Sequence, residues 1–195
     1  DRTLFIIDQS LVGGWGKKIS DFAGFAPVLF DINSNNNKEI FFNAQQLSPP
    51  SYIDLFYGLD YNGLPLLGWP KTHFGVPYYP FSPHTFPAVN NIDNDLNVEI
   101  VFAPSGNGYG YIYEPNGNLQ PGWPIYLQGN SRGTPPIIAN IDGGSDNEII
   151  FVRDNGQSIL TTYCLSGQTN SQIFIYKQDG AILPGWPVSL PCAAS

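Results

Sequence analysis

The sequence predicts an all-β protein: a β-propeller of four-stranded antiparallel blades, with about three and a half blades present as part of a larger propeller. Three observations predict it. First, the stretches Pro27–Phe42, Pro87–Phe102 and Pro136–Phe151 align without a gap. In each, the Pro is followed six residues later by Asn33, Asp93 or Asp142, and twelve residues later by Glu39, Glu99 or Glu148. Second, every Trp sits in a recurring tripeptide: Gly14-Trp15-Gly16, Gly68-Trp69-Pro70, Gly122-Trp123-Pro124 and Gly185-Trp186-Pro187. The Trp spacings are 54 (15 to 69), 54 (69 to 123) and 63 (123 to 186), and they alternate with the acidic stretches, as an internal repeat requires. Third, 21 Gly and 18 Pro in 195 residues with only 12% charged residues suit many turns and short strands, because Gly and Pro break helices.

The elements follow in order. Within each unit an apolar Pro-x-x-x-x-Ile piece precedes a polar loop, and Glu-Ile-Phe-Phe, Glu-Ile-Val-Phe or Glu-Ile-Ile-Phe follows it. The third strand is Tyr52–Tyr57, Tyr109–Tyr113 or Gln172–Tyr176, whose recurring tyrosines are expected to pack. A tight turn comes next, at Asp60–Gly63, Pro115–Gly117 or Gln178–Gly180; Asn-Gly and Asp-Gly suit its positive φ angles. The fourth strand is expected at Leu64–Pro70, Leu119–Pro124 and Ile182–Pro187, on an outer edge where Pro is tolerated. Residues 1–16 match strands three and four only, so the units are 1–16, a half blade, then 17–70, 71–124 and 125–195. A fragment of a longer chain is the favoured reading of that phase, with a ring completed by two copies as the alternative, since a closed propeller needs about four to eight blades.

Bulk properties exclude some partners. The net charge is −8 and the eight Lys and Arg are not clustered, so a phosphate backbone is not an expected partner. No apolar run is long enough to span a membrane as a helix. The start, Asp1-Arg-Thr-Leu-Phe, does not read as a signal peptide. The longest connection between strands two and three, 153–171, holds Cys164. Cys192 lies on the next connection between strands four and one. Those two connections open on one face of a blade, so a Cys164–Cys192 disulfide is expected, and with it an oxidising, extracellular setting.

The polar loop carries five alternating positions, here numbered 1, 3, 5, 7 and 9. They are Asp31, Asn33, Asn35, Asn37 and Glu39; Asn91, Asp93, Asp95, Asn97 and Glu99; and Asn140, Asp142, Gly144, Asp146 and Glu148. Alternate oxygen-bearing residues of a tight loop suit a hard cation, and the lack of Cys or His nearby favours Ca²⁺ over zinc or copper. The same residues also build turns by bonding local backbone N–H groups. The pattern resembles the FG-GAP/VCBS repeats of integrin-type β-propellers, in a secreted bacterial-like variant with Gly-Trp-Pro ends, over residues 1–190. That resemblance implies a loop between strands one and two that often binds Ca²⁺. Position 6, glycine in the family, is Asn36, Leu96 and Ser145 here, and position 5 of the third copy, Gly144, has no side chain.

No nucleophile motif or metallohydrolase spacing surrounds the two histidines, His73 and His84, so the expected protein is not an enzyme. Two roles stay open. One is an extracellular binding or adhesion module, lectin-like, presenting Tyr78, Tyr79, Phe81 and His84 of the long 71–84 connection to a glycan or protein. The other is a structural scaffold subunit of a cell-surface assembly.

Overall fold

The computed structural model describes residues 2–7, 14–20, 22–23, 27–48, 51–74, 86–103, 108–127, 135–154 and 169–191. Tyr78, Tyr79, Phe81, His84, Cys164 and Cys192 lie outside the described residues. Among those described there are strands and turns and no helix. An antiparallel hairpin, β1 (Arg2–Ile7) and β2 (Gly14–Ser20), comes first. The next sheet contains β3 (Phe22–Ala23), β4 (Val28–Phe30), β5 (Glu39–Ser48), β6 (Ser51–Leu59) and β7 (Lys71–Phe74). Both short strands β3 and β4 pair the long β5, so they share one place in the sheet. A second sheet comprises β8 (Ala88–Asn90), β9 (Glu99–Phe102), β10 (Tyr109–Tyr113) and β11 (Ile125–Tyr126). A third comprises β12 (Ile137–Ala139), β13 (Glu148–Asp154), β14 (Thr169–Tyr176) and β15 (Val188–Pro191). In the second and third sheets spatial order equals chain order and every pairing is antiparallel.

Two sequence expectations are corrected. The Gly-Trp-Pro segments are not the fourth strand; that strand starts directly after the Pro, at β7, β11 and β15. The segment before it makes one bridge back to the third strand (Leu59 to Pro65, Tyr113 to Leu119, Tyr176 to Ile182) and then turns. The reason is local. Each segment has Pro on both sides of its Trp, which removes backbone donors, and Gly68, Gly122 and Gly185 adopt left-handed φ angles of 83°, 89° and 92° that leave the extended path. The same bridges set the register of strand three. Leu59 stands with Tyr113 and Tyr176, so Tyr57 is equivalent to Tyr111 and Phe174, two residues off the pattern of tyrosines.

Alternation along each strand gives every sheet two apolar faces, and consecutive sheets stack through them. Phe41, Phe56 and Trp69 of the first sheet pack on Ile100, Phe102, Tyr111 and Tyr113 of the second. Val101, Ile112 and Trp123 on the other face of the second meet Ile149, Phe151, Phe174 and Tyr176 of the third. Fully burying each large side chain contributes roughly 1.5–3 kcal/mol. The first strands β4, β8 and β12 lie side by side in succession. The stacks are fitted by exchange of large and small residues. A side chain at Gly58 would come within 2.9 Å of Phe41, and one at Gly110 within 2.9 Å of Phe151. The equivalents of Gly58 and Gly110 in the neighbouring sheets are Ile112 and Phe56.

Polar bonds fix the stack in register. The Trp69 indole N–H donates to the Pro115 carbonyl at 3.0 Å, and that of Trp123 donates to the Gln178 carbonyl at 2.7 Å. In both cases the Trp of one sheet holds the hairpin turn of the next. Asn147 adds a third tie: its backbone N–H donates to the Ile92 carbonyl at 2.8 Å and its side-chain amide to the Asn91 carbonyl at 2.7 Å. The far face of the third sheet repeats the residues that are covered in the second. Ile137, Val188 and Leu190 are 51%, 40% and 40% exposed, whereas Leu127, the equivalent of Leu190 in the second sheet, is 1% exposed, and Ala88 and Ile125, the equivalents of the other two, are partly buried.

His73 of β7 lies at the first junction. Its Nε2 and the Tyr113 hydroxyl are 2.5 Å apart, and its ring sits 4.1 Å from that of Tyr111. Burial, followed by the nearby Lys71 ammonium, lowers the His73 pKa to about 4. Burial also drives the Tyr113 hydroxyl well above the ordinary tyrosine range.

Two predictions test this packing. A side chain at Gly68 would meet the Asn116 carbonyl at 2.1 Å and one at Gly122 the Asp179 carbonyl at 2.2 Å, while nothing lies within 4 Å at Gly185. All three share the left-handed penalty for alanine. Gly68→Ala and Gly122→Ala are therefore expected to destabilise by about 1–3 kcal/mol more than Gly185→Ala in chemical denaturation; equal losses would mean the junction is not as tight as described. For His73 the folded pKa lies below the unfolded value of 6.5, so the folded protein takes up a proton less readily than the unfolded chain. Stability is expected in full above about pH 6.5 and to fall as pH drops toward about 4. His73→Phe is expected to flatten that part of the stability–pH curve.

Candidate metal centre

Each polar loop joins the first strand of a sheet to the second, and its ninth position closes it. Glu39, Glu99 and Glu148 are 2%, 0% and 3% exposed. Each carboxylate reaches back to accept the backbone N–H of position 2: Ile32 to Glu39 at 2.9 Å, Ile92 to Glu99 at 2.6 Å and Ile141 to Glu148 at 2.7 Å. A buried amide left unpaired costs more than a typical hydrogen bond contributes, which accounts for a glutamate at all three places. Position 4 is left-handed in every copy, with φ of 57° at Ser34, 58° at Asn94 and 78° at Gly143. At position 6 only Asn36 is left-handed, at 66°. Leu96 stands wholly exposed without that conformation, so the departure from glycine at this place is accommodated.

The three loops differ in the oxygens that remain for a cation. In the first, Asp31 accepts the amides of Asn35 at 3.0 Å and Asn36 at 2.8 Å, one on each oxygen. The second oxygen of Glu39 accepts from the Asn33 side chain at 3.1 Å, and Asn35 Oδ1 accepts the Asn37 amide. Its carboxylates are thus engaged within the loop. In the third, Asp142 forms a 3.3 Å ion pair with Lys177 and accepts the Gly144 amide, which, with the lysine, holds its carboxyl below the usual range. Asp146 accepts from Ser145 and Gln178. Asn140 is consumed by the Gly143 amide and the Gly144 carbonyl.

The second loop is different. Asp93, Asp95 and Glu99 each offer a carboxylate oxygen within 4.8 Å of the others. Glu99 Oε1 is buried and has no hydrogen-bond partner. Burial raises the Glu99 pKa to about 7, with Asp93, Glu114 and Asp95 adding to the rise against the opposing bond from Ile92. Glu114 itself is raised by burial and by Asp93 and Asp95. The side chain of Gln120, 8% exposed, donates Nε2–H to Asp93 Oδ2 at 3.3 Å, while its Oε1 is buried without a partner. Three carboxylates and an orphaned buried carboxylate oxygen suit a hard divalent cation of the Ca²⁺ type.

Of the sequence-derived ligand positions, the structure brings together Asp93, Asp95 and Glu99. Asn91 does not join them: its Oδ1 accepts the Asn94 amide at 2.6 Å and its Nδ2 donates to the Asp95 carbonyl. Asn97 donates to both Asp95 oxygens. Gln120 and Glu114 were missed because they follow the third strand, outside the repeated loop. The signal available was the break in pattern. Gln120 stands where the sister sheets have Leu66 and Leu183, and Glu114 where they have Asp60 and Lys177, as the shared turn hydrogen bonds establish.

Comparison with known proteins adds little. No family model matches the chain, and no curated protein matches it. One solved structure with similarity is the crystal structure of the V. cholerae biofilm matrix protein Bap1, at 20% sequence identity and a TM-score of 0.33. The alignment covers 85% of this chain, which spans only 28% of that one. A likeness of this degree says nothing about function. No helix among the described residues is long and apolar enough to cross a membrane.

The closing role of the ninth position is testable where no cation set is present. Glu39→Ala leaves the part-buried Ile32 amide without its partner and is expected to cost about 1–2 kcal/mol in urea denaturation, with Glu39→Gln largely restoring it. An alanine variant as stable as the parent would deny the carboxylate that role.

Proposed function

We propose that the chain is a run of FG-GAP/VCBS-like blades of a β-propeller, acting outside the cell as a non-enzymatic binding or adhesion module steadied by one Ca²⁺ in its second loop. The observation that carries the calcium reading is Glu99 Oε1, buried without a partner beside Asp93 and Asp95. Up-and-down four-stranded sheets, stacked face to face with their first strands adjacent, support the propeller. So does the far face of the third sheet, where Ile137, Val188 and Leu190 stand ready for a further sheet of the same kind. Three near-copies of the loop support an architectural rather than catalytic use, since one active site needs no triplicate. A site of three carboxylates suits the weak, sub-millimolar to millimolar affinities of extracellular calcium modules, about 10⁻⁴–10⁻³ M. When bound, Ca²⁺ would supply charge neutralisation for Asp93, Asp95 and Glu99 and tie the loop to strand β9.

Calcium calorimetry on the chain tests the reading. One ion per chain is expected, with melting raised by several degrees at saturation, since ligand at ~100 times its Kd contributes about 2.7 kcal/mol. Asp95→Asn, on an exposed side chain, is expected to weaken binding at least about tenfold, whereas Asp31→Asn in the first loop leaves it unchanged. Flat titrations, or a melting temperature indifferent to chelator, would refute the calcium site. A glycan array at saturating Ca²⁺ addresses the partner: specific signals support the binding module, and a blank array supports a scaffold.

A further inference from the structure

Two positions outside the second loop set its surroundings: one differs in charge from the third sheet, the other differs from both sister sheets. At the first, the first sheet has Asp60, and the third has Lys177, which pairs with Asp142 at 3.3 Å and offsets one charge of that loop. The second sheet has Glu114 there, which adds negative charge beside Asp93 and Asp95. At the second, the sister sheets have leucine: Leu66, partly buried, and Leu183, buried. The second sheet buries an amide, Gln120, against Asp93. Burying an amide where leucine serves twice is costly unless both its polar ends are satisfied, and Gln120 Oε1 is not.

We propose that Gln120, through Oε1, is the fourth side-chain ligand of the second loop's cation site, joining Asp93, Asp95 and Glu99 from outside the loop. The inference rests on the calcium reading above. Its geometry is simple. Gln120 Nε2 lies 3.3 Å from Asp93 Oδ2. A half-turn of the terminal amide torsion, which is broad and two-fold, exchanges Nε2 and Oε1. Oε1 then takes a place beside Asp93 at about the spacing of two oxygens sharing one Ca²⁺ at about 2.4 Å each. In the absence of the ion, the N–H end faces the carboxylate; with it, the carbonyl end does. The ion would thereby link the loop to the segment leading into Trp123, whose amide donates to the Gln120 carbonyl at 3.1 Å. Loop and inter-sheet junction would be tied through one residue.

Two variants separate ligand from spacer. Gln120→Leu installs the residue both sister sheets carry, so a folded protein is expected. It is expected to weaken Ca²⁺ binding about tenfold by calorimetry, with the metal-free melting temperature kept or raised. Gln120→Glu keeps the shape and replaces the N–H donor with oxygen. With a carboxylate oxygen in place of the amide, affinity is expected to rise several-fold. Wild-type affinity in Gln120→Leu, or weaker binding in Gln120→Glu, overturns the ligand role while the calcium site stands. A wild-type chain that takes up no Ca²⁺ overturns the calcium reading itself and this inference with it.

Discussion

The hydrogen bond from the Trp69 and Trp123 indoles to the hairpin turn of the next sheet is the contact on which the arrangement depends. Apolar faces alone would let the sheets slide, since burial has no direction. The indole N–H of Trp69 and Trp123 must find an acceptor when its ring is buried, and in each case a turn carbonyl of the next sheet supplies it. That requirement fixes both the rotation and the offset of one sheet on the next. It also explains the local backbone. Gly68 and Gly122 are left-handed where a neighbouring carbonyl approaches too closely for any side chain, and the flanking prolines keep the segment out of the ladder. The strand that follows is short because the turn, not the strand, makes the junction.

A second constraint acts inside each sheet. A loop between two short strands exposes backbone amides faster than water or strand pairing can satisfy them at the buried end. The glutamate at the ninth position answers this by accepting the amide at position 2 in all three copies. Once that need is met, the remaining oxygens decide whether the loop also carries a charge problem. The first loop disposes of its carboxylates on its own amides, and the third on Lys177, Ser145 and Gln178. The second bonds Asp95 to Asn97 and Asp93 to the Asp95 amide, yet it leaves Glu99 Oε1 buried without a partner, with Asp93, Asp95 and Glu114 close by. A cation bound beside Glu99 Oε1 would lower that repulsion and supply the buried oxygen with a partner.

Much of the fold was legible in the sequence. The repeat, its three loops, the antiparallel strands and the tight turns at Gly63, Gly117 and Gly180 follow from spacing and turn chemistry. Strand four was misplaced because Trp is a strong strand former, and the sequence does not reveal that the glycine before it is left-handed. Strand three was misaligned at Tyr57 because tyrosine recurs on both sides of the true register, and only the bridge from Leu59 to Pro65 resolves it. In the loops, alternate oxygen residues looked equivalent. Position 1, however, is used by the backbone in every copy, since an Asn or Asp side chain bonds amides three to five residues on before it can serve an ion.

What the repeats share and where they differ carry different information. A residue present in every copy serves the unit: the Glu that closes the loop, the Gly that turns the chain, and the Trp, which at Trp69 and Trp123 holds the next turn. Such residues reveal architecture and are silent on function, because nothing distinguishes one copy from another. A residue that breaks the pattern at a buried position has to be explained by something only that copy does. Gln120 is such a residue, since both sister copies have leucine there; Glu114 is not, because the first sheet has Asp60 at its place and only the third has lysine. A buried amide in place of leucine, bonded to Asp93 beside a buried carboxylate oxygen without a partner, is harder to explain as drift than as a site.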